Sequence, residues 1–370
     1  MSTMALSRST QPLKALYIIY FTLKLPFILI SLIIYYTIPS LRPIRQWSIR
    51  TSVATYIIRI FFNLVSVIGL SSLRPLTPEK AKERFAYIEP GDDKLYSGVL
   101  SPAAIKPVPL KGLWDASLGG PVTIDKSKVL LLFPGGAFVF AFDPYEGSNI
   151  VSDLVRRVPG ARVFLAQYRL ATSPAGRFPA AIQDALTFYN YILDLGIDPK
   201  DIVFLGDSAG GNVAVGLLRY LEESQKLPLP GGVLAYSPWV HVTNDSKRQY
   251  GDSPKLRTDC INYPVLQTGY DKYIPEGGMT PEVAPYFSPM THPFRTSVPV
   301  YIQAGEAEVF YDENKQFAEA MERIEGNKVK FHTIKHAPHD LILSHRMVGL
   351  TAEATASVED AIAFVTKNVD

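Results

Sequence analysis

The stretch "FLGDSAGGNVAVGLL", Phe204–Leu218, reads as an apolar strand, a glycine-rich turn and the start of a helix. The turn, Gly206-Asp207-Ser208-Ala209-Gly210, has the pattern G-x-S-x-G. Such a turn forces its serine into a strained backbone conformation and exposes the hydroxyl. Glycines on either side remove the Cβ atoms that would collide where strand and helix meet. The free N–H groups and positive end of the following helix face any anion that develops there. A phosphate loop shares the glycines but needs a G-K-[ST] sequence, and none follows. Ser208 is therefore a candidate nucleophile.

Working outward, strands and helices alternate from about Val129. "VLLLF" (Val129–Phe133), "RVFLAQY" (Arg162–Tyr168), "DIVFLG" (Asp201–Gly206), "GGVLAYSP" (Gly231–Pro238), "VPVYIQAG" (Val298–Gly305) and "KVKFHTI" (Lys328–Ile334) read as strands, mostly without polar alternation. "FPAAIQDALTFYNYILDLG" (Phe178–Gly196) has helical spacing, with Ala181, Ala185, Phe188 and Ile192 on one face and Gly196 where the helix should stop. Further helices are expected over Asn212–Glu223 and Thr351–Asn368. Buried strands alternating with helices predict an α/β fold: a mainly parallel sheet with helices on both faces. Residues 240–297 lose the pattern and read as an insertion, or lid, over one edge of the sheet.

A serine nucleophile needs oxyanion donors, a base and an acid. "FPGGAF" (Phe133–Phe138) follows the first buried strand, so the N–H groups of Gly135 and Gly136, with that of Ala209, are the expected donors. The base should lie in the loop after the last strand. There "HTIKHAPHDLIL" offers His336 and His339, while His332 falls within the strand. The acid should follow the preceding strand, where Glu306, Glu308, Asp312 and Glu313 are all available. Such a set needs no metal or organic cofactor, and His336, His339 and Asp340 lack the further ligands of a metal site.

The N-terminal part differs. Ala15–Ile38 carries one charge, Lys24, over 24 residues. As a helix it would reach about 36 Å, enough for a hydrocarbon core of about 30 Å. Tyr17, Tyr20, Tyr35 and Tyr36 suit the two membrane interfaces, and Pro26 is expected to kink the helix. The span is long for a signal peptide and no A-x-A-like site follows, so a retained single-pass anchor is expected, at the endoplasmic reticulum. A second apolar run, Tyr56–Leu70, contains Arg59 and Asn63 and is expected on the membrane surface or in a lid. The chain of 370 residues has a net charge of +2 and no basic block, so nucleic acid is not an expected partner. Its one cysteine, Cys260, excludes an internal disulfide. A sequon, Asn244-Asp245-Ser246, is a weak mark of a lumenal domain.

With these residues in view, the chain from about Lys128 to its end resembles the hormone-sensitive-lipase-like branch of the α/β-hydrolases, which includes bacterial esterases, arylacetamide deacetylases and fungal steryl acetyl hydrolases. Gly206-Asp207-Ser208-Ala209-Gly210-Gly211-Asn212 matches that branch's nucleophile motif. "YRLATSPAGRFPAAIQD" (Tyr168–Asp184) is similar to its Y-R-L-A-P-E…F-P-A-A…D stretch, and "YSPWVHVT" (Tyr236–Thr243) to its S-P-W-x-D segment. There are two departures. The branch's His-Gly-Gly-Gly reads Pro134-Gly135-Gly136-Ala137, and its D-P-L-x-D-E reads Glu308-Val309-Phe310-Tyr311-Asp312-Glu313. The resemblance thus implies Ser208, Glu308 and His339 as the triad, with Asp312 as the alternative acid. It implies an ester hydrolase for a small lipophilic ester, such as an acetylated sterol, terpenoid or other natural product. An acyltransferase with the same triad, or a non-catalytic ligand-binding protein on the same fold, are the alternatives. The expected organisation is a tail at 1–14, a transmembrane anchor at 15–38, an amphipathic cap segment at 39–110 and a hydrolase domain at 111–370, with its lid at 240–297.

Overall fold

The computed structural model describes residues 12–68, 75–101, 103, 105–115, 128–155 and 161–369. Among these, eight strands build one sheet: β1 (Phe85–Ile88), β2 (Leu110–Trp114), β3 (Lys128–Phe133), β4 (Ala161–Gln167), β5 (Ile202–Asp207), β6 (Gly232–Tyr236), β7 (Val300–Gly305) and β8 (Val329–Ile334). Their order is β1-β2-β4-β3-β5-β6-β7-β8. The first two join antiparallel, and all pairs from β4 to β8 are parallel. The apolar runs explain the centre. Val129–Phe133, Ile202, Phe204 and Leu205 are buried because helices cover both sheet faces.

The helices of eight residues or more are α1 (Leu13–Tyr35), α2 (Ile49–Ile68), α3 (Pro144–Val155), α4 (Ala180–Asp194), α5 (Ser208–Ser224), α6 (Tyr263–Tyr273), α7 (Tyr311–Glu322), α8 (Leu341–Val348) and α9 (Thr351–Asn368). One core lies under α4, α5 and α7, and a second lies under α3, α8 and α9. Ala181, Ala185, Phe188 and Ile192 form the buried face of α4, and Gly196 takes the left-handed conformation (φ +82°) past its end. Strand register sets where the chemistry can happen. Phe133 pairs with Gly206, so the loop after β3 starts beside the turn after β5. Asp207 pairs with Tyr236, which brings the end of β6 to the same place. In an open α/β sheet, the crevice at the carboxyl ends of the strands is where ligands bind.

Several sequence expectations change. Two strands precede the first expected one at Val129: the segment expected as a cap, 39–110, supplies β1 and the first residue of β2. Helix α5 starts at Ser208 itself, four residues before the expected Asn212. The second apolar run is the 20-residue helix α2, which starts at Ile49 rather than Tyr56; Leu70 lies outside the described residues. Residues 240–297 divide. The first part packs over the carboxyl ends of the strands, where Thr258 Oγ1 donates to the Ala307 carbonyl at 2.8 Å and Tyr250 Oη to Glu313 Oε2 at 2.8 Å. The last part runs back along α5, where Tyr286 Oη donates to Glu223 Oε2 at 2.7 Å, and reaches the turn before β8, where Thr296 N–H donates to Asn327 Oδ1 at 2.8 Å.

Helices α1 and α2 are both long and apolar enough to cross a membrane. An apolar helix this close to an N-terminus also has the character of a signal sequence. Nothing in α1 is buried, and Pro26 lies inside it. Helix α2 has a buried face of Thr51, Ser52, Thr55, Val65 and Ile68. Its polar side chains bind the backbone around β8 and α8. Thr51 Oγ1 donates to the Val348 carbonyl at 2.9 Å, Arg50 donates to those of Arg346 and Met347, and Trp47 Nε1, just before the helix, donates to that of His336 at 2.6 Å.

Candidate active site

Ser208 stands at the junction of β5 and α5 with φ +52°, a left-handed backbone that costs a non-glycine residue roughly 1–3 kcal/mol. The turn closes only because its neighbours are glycines. A Cβ on Gly206 would sit 2.2 Å from the Gly210 carbonyl oxygen, and one on Gly210 would sit 1.9 Å from that of Phe133.

The candidate base and acid meet each other in the loops after β8 and β7. His339 Nδ1 lies 3.4 Å from Glu308 Oε2, and both side chains are almost wholly buried. That contact is slack for a hydrogen bond, and such contacts commonly tighten once substrate binds. Glu308 is itself held, accepting from Ser237 Oγ at 2.6 Å and from Asn314 Nδ2 at 3.3 Å. Burial alone would push the His339 imidazole down. The hydrogen bond and charge of Glu308, joined by Asp259 and Asp207, outweigh it and hold the group above the ordinary histidine value. The histidine loop also meets the serine turn through Asp340 and Asp207. Burial pushes both carboxyls up, Asp207 to about 6 and Asp340 well above its usual range, and the nearby Asp207 charge raises Asp340 further.

The other candidates go elsewhere. Asp312 is 80% exposed and pairs with Lys255 Nζ at 3.0 Å. His336 is nearly half-exposed beside Glu306, with Nδ1 3.4 Å from Oε2. His332 sits on β8 with Nδ1 2.9 Å from Asp360 Oδ2.

The oxyanion loop corrects one expectation. Gly135 N–H donates to Asp207 Oδ2 at 2.9 Å, so it is already committed and cannot serve an oxyanion. The N–H groups of Gly136, Ala137 and Ala209 have no partner among the described residues. Gly136 (φ +125°) and Ala137 (φ +51°) turn the chain there. Proline in place of the branch's histidine does not leave the loop loose. The Pro134 carbonyl accepts from Tyr168 Oη at 2.6 Å, a bond that braces the loop against the end of β4.

Sequence reasoning missed Ser237, Asn314, Asp259 and Tyr168 as parts of this site. Tyr168 and Ser237 lie within recognised stretches, but nothing in the sequence said what they touch. Among the described residues, no group of three or more His, Cys, Asp or Glu side chains is arranged to hold a metal ion.

Comparison with known proteins finds relatives of the same fold. A family model described as the α/β hydrolase fold matches residues 130–343. An esterase of Acinetobacter venetianus is 29% identical over 230 residues, 62% of this chain and 71% of that protein. Steryl acetyl hydrolase 1 of Saccharomyces cerevisiae is 24% identical over 126 residues, which is 33% of this chain and 29% of that one. Among solved structures, an esterase from the bacterial hormone-sensitive lipase family superposes with a TM-score of 0.60 at 21% identity, over 87% of this chain and 99% of the other. At that identity the likeness concerns the fold alone.

Proposed function

The chain belongs to the α/β-hydrolases of the hormone-sensitive-lipase-like branch and is a carboxylesterase-type hydrolase, and from that premise we propose that Ser208, His339 and Glu308 cleave a small acyl group, acetyl first among them, from a lipophilic alcohol. The observation that carries this reading is the buried Glu308–His339 contact at the strand ends, beside a serine in a strained turn.

Ser208 Oγ attacks the ester carbonyl while His339 takes its proton. Glu308 orients the imidazole and balances the charge it acquires. The N–H groups of Gly136 and Ala209, with Ala137 beside them, stabilise the tetrahedral oxyanion at the positive end of α5. His339 then passes the proton to the departing alkoxide. Water, activated by the same histidine, releases the acyl group and restores Ser208.

The apolar helices, and a relative named steryl acetyl hydrolase, support the substrate class. Helix α2 and residues 240–297 form the cap in this reading, and α1 attaches it to a membrane. Phe61 of α2 packs edge-on against Phe140 with ring centroids 5.8 Å apart, and Phe140 meets Phe142 at 5.0 Å, giving the region beside the oxyanion loop an apolar wall. A panel of acetyl, butyryl and longer esters of small and polycyclic alcohols, tried on the purified chain and its Ser208→Ala variant, tests the reading. Absence of Ser208-dependent turnover on every ester would sink it.

A further inference from the structure

Asp259 lies in the irregular stretch between β6 and β7, far in sequence from Ser208, and its side chain is fully buried. Its oxygens take three backbone N–H bonds. Oδ1 accepts from His339 at 2.9 Å and from Cys260 at 2.6 Å, and Oδ2 accepts from Val309 at 2.7 Å. His339 carries the imidazole, and Val309 adjoins Glu308. One carboxylate therefore ties the loop after β7 to the loop after β8. The Asp259 carbonyl in turn accepts from Arg59 Nε of α2 at 2.8 Å, and Arg59 Nη2 reaches the Arg257 carbonyl at 2.9 Å.

We propose that Asp259 is a positioning residue of the active site, whose carboxylate fixes the Glu308 loop against the His339 loop while Arg59 of α2 holds Asp259 in place. This rests on the reading of Ser208, Glu308 and His339 as the triad. The geometry gives the task a reason. Glu308 can orient the imidazole only where the His339 backbone is already placed, and the Asp259 carboxylate holds that backbone N–H at 2.9 Å. Three N–H donors also match an ionised carboxylate, which accepts and cannot donate. The charge faces His339 together with Glu308 and Asp207, and Arg59 is the cation nearest by its bonds. Burial raises the Asp259 carboxyl and the neighbouring imidazole opposes that.

Asp259→Asn separates placement from mere support, because it keeps one acceptor oxygen and removes the charge. With a water-soluble acetyl ester, kcat should fall about tenfold to hundredfold, the scale on which a misplacement near 1 Å acts, with KM little changed. The acid limb of kcat/KM should also move to lower pH, because the lost charge had favoured the imidazolium. Fluorophosphonate labelling of Ser208 should slow in parallel. A folded variant with the parent's rate and pH profile overturns the proposal while labelling of the parent chain upholds the triad. A parent chain that resists labelling overturns both. Should the variant not fold, Arg59→Gln leaves the carboxylate in place and loosens its support. A severalfold fall in kcat with constant KM then supports the coupling, and an unchanged kcat overturns it.

Discussion

The catalytic end of the sheet and the N-terminal helical layer are held by opposite means. At the catalytic end, buried polar groups meet in loops whose backbones are strained. Of the eight described non-glycine residues with positive φ, six lie there: Ala137, Phe138, Ser208, Ser237, His336 and Asp340. The N-terminal layer has regular helices and apolar surface. Within it α1 touches nothing by a buried side chain, whereas α2 is bolted on through Trp47, Arg50, Thr51 and Arg59. Hydropathy treats these two helices alike, and partners for polar side chains separate them. Helix α2 buries threonine and arginine bonds against another backbone, and α1 buries no side chain.

If that contrast is right, substitutions should lose effect on chemistry in a definite order. Ser208→Ala should reduce turnover by about 10⁴-fold or more and abolish fluorophosphonate labelling, with near-ultraviolet circular dichroism unchanged. Residual activity near the parent's would break the contrast at its strongest point. Glu308→Gln should cost about 10²- to 10⁴-fold, because a neutral amide neither orients nor balances the imidazolium. Asp312→Asn, four residues along and at the surface, should stay within about twofold, since an exposed pair such as Asp312–Lys255 contributes about 0–1 kcal/mol. A reversed ranking would move the acid to Asp312.

The pH profile sharpens the same point. His339 acts as a base only when neutral, and its proton affinity is held above the ordinary value of about 6.5. Activity should therefore fall on acidification through a midpoint above that value, and Glu308→Gln should shift what activity remains to lower pH. The same shift makes the folded state bind this proton more tightly than the unfolded chain. Its contribution to stability is complete below about pH 6.5 and is lost as pH rises through the folded value. A midpoint at or below 6.5 in the parent chain would mean that burial, not Glu308, governs the imidazole.

Smaller effects fall on the helical layer. Thr51→Val removes a buried bond to the Val348 carbonyl and should destabilise by about 1–3 kcal/mol, read as a lower denaturation midpoint with kcat reduced little. Smallest of all for chemistry is removal of α1. A chain beginning at Pro39 should hydrolyse a water-soluble ester within about twofold of the parent, yet leave the carbonate-resistant membrane fraction in which the proposed anchor would hold the parent. Continued carbonate resistance would place α2 in the membrane as well and erase the distinction between the two helices.

How much of this could be read from the sequence follows the same divide. Val129–Phe133 and Phe204–Leu205 announce buried strands because parallel strands covered on both faces have no polar alternation. The α4 face and its stop at Gly196 follow from helical spacing and glycine chemistry. Ser208 was legible because its turn imposes a local pattern. β1 and β2 were not, since "FAYI" and "LKGLW" are short and gain their identity only by pairing with each other and with β4. The role of Gly135 depends on the side chain of Asp207, 72 residues away. Asp259 shows no local signal at all, because its task exists only where three loops converge. Glu308 and Asp312 carry equal charge in one loop, so only burial separates them.

The link between the two N-terminal helices sets a geometry for substrate supply. Arg42 closes the turn between them, donating from Nε to the Tyr36 carbonyl at 2.9 Å and from Nη1 to that of Trp47 at 2.7 Å. Trp47 is itself tied to His336 on the histidine loop. With α1 in a bilayer, as proposed, the catalytic mouth would stand at a set height and tilt above the lipid rather than swing on a tether. Esters dissolved in that leaflet would then reach Ser208 by lateral diffusion, in two dimensions. Turnover would follow their mole fraction in the membrane instead of their bulk concentration. Adding inert lipid would slow the enzyme, and adding buffer would not.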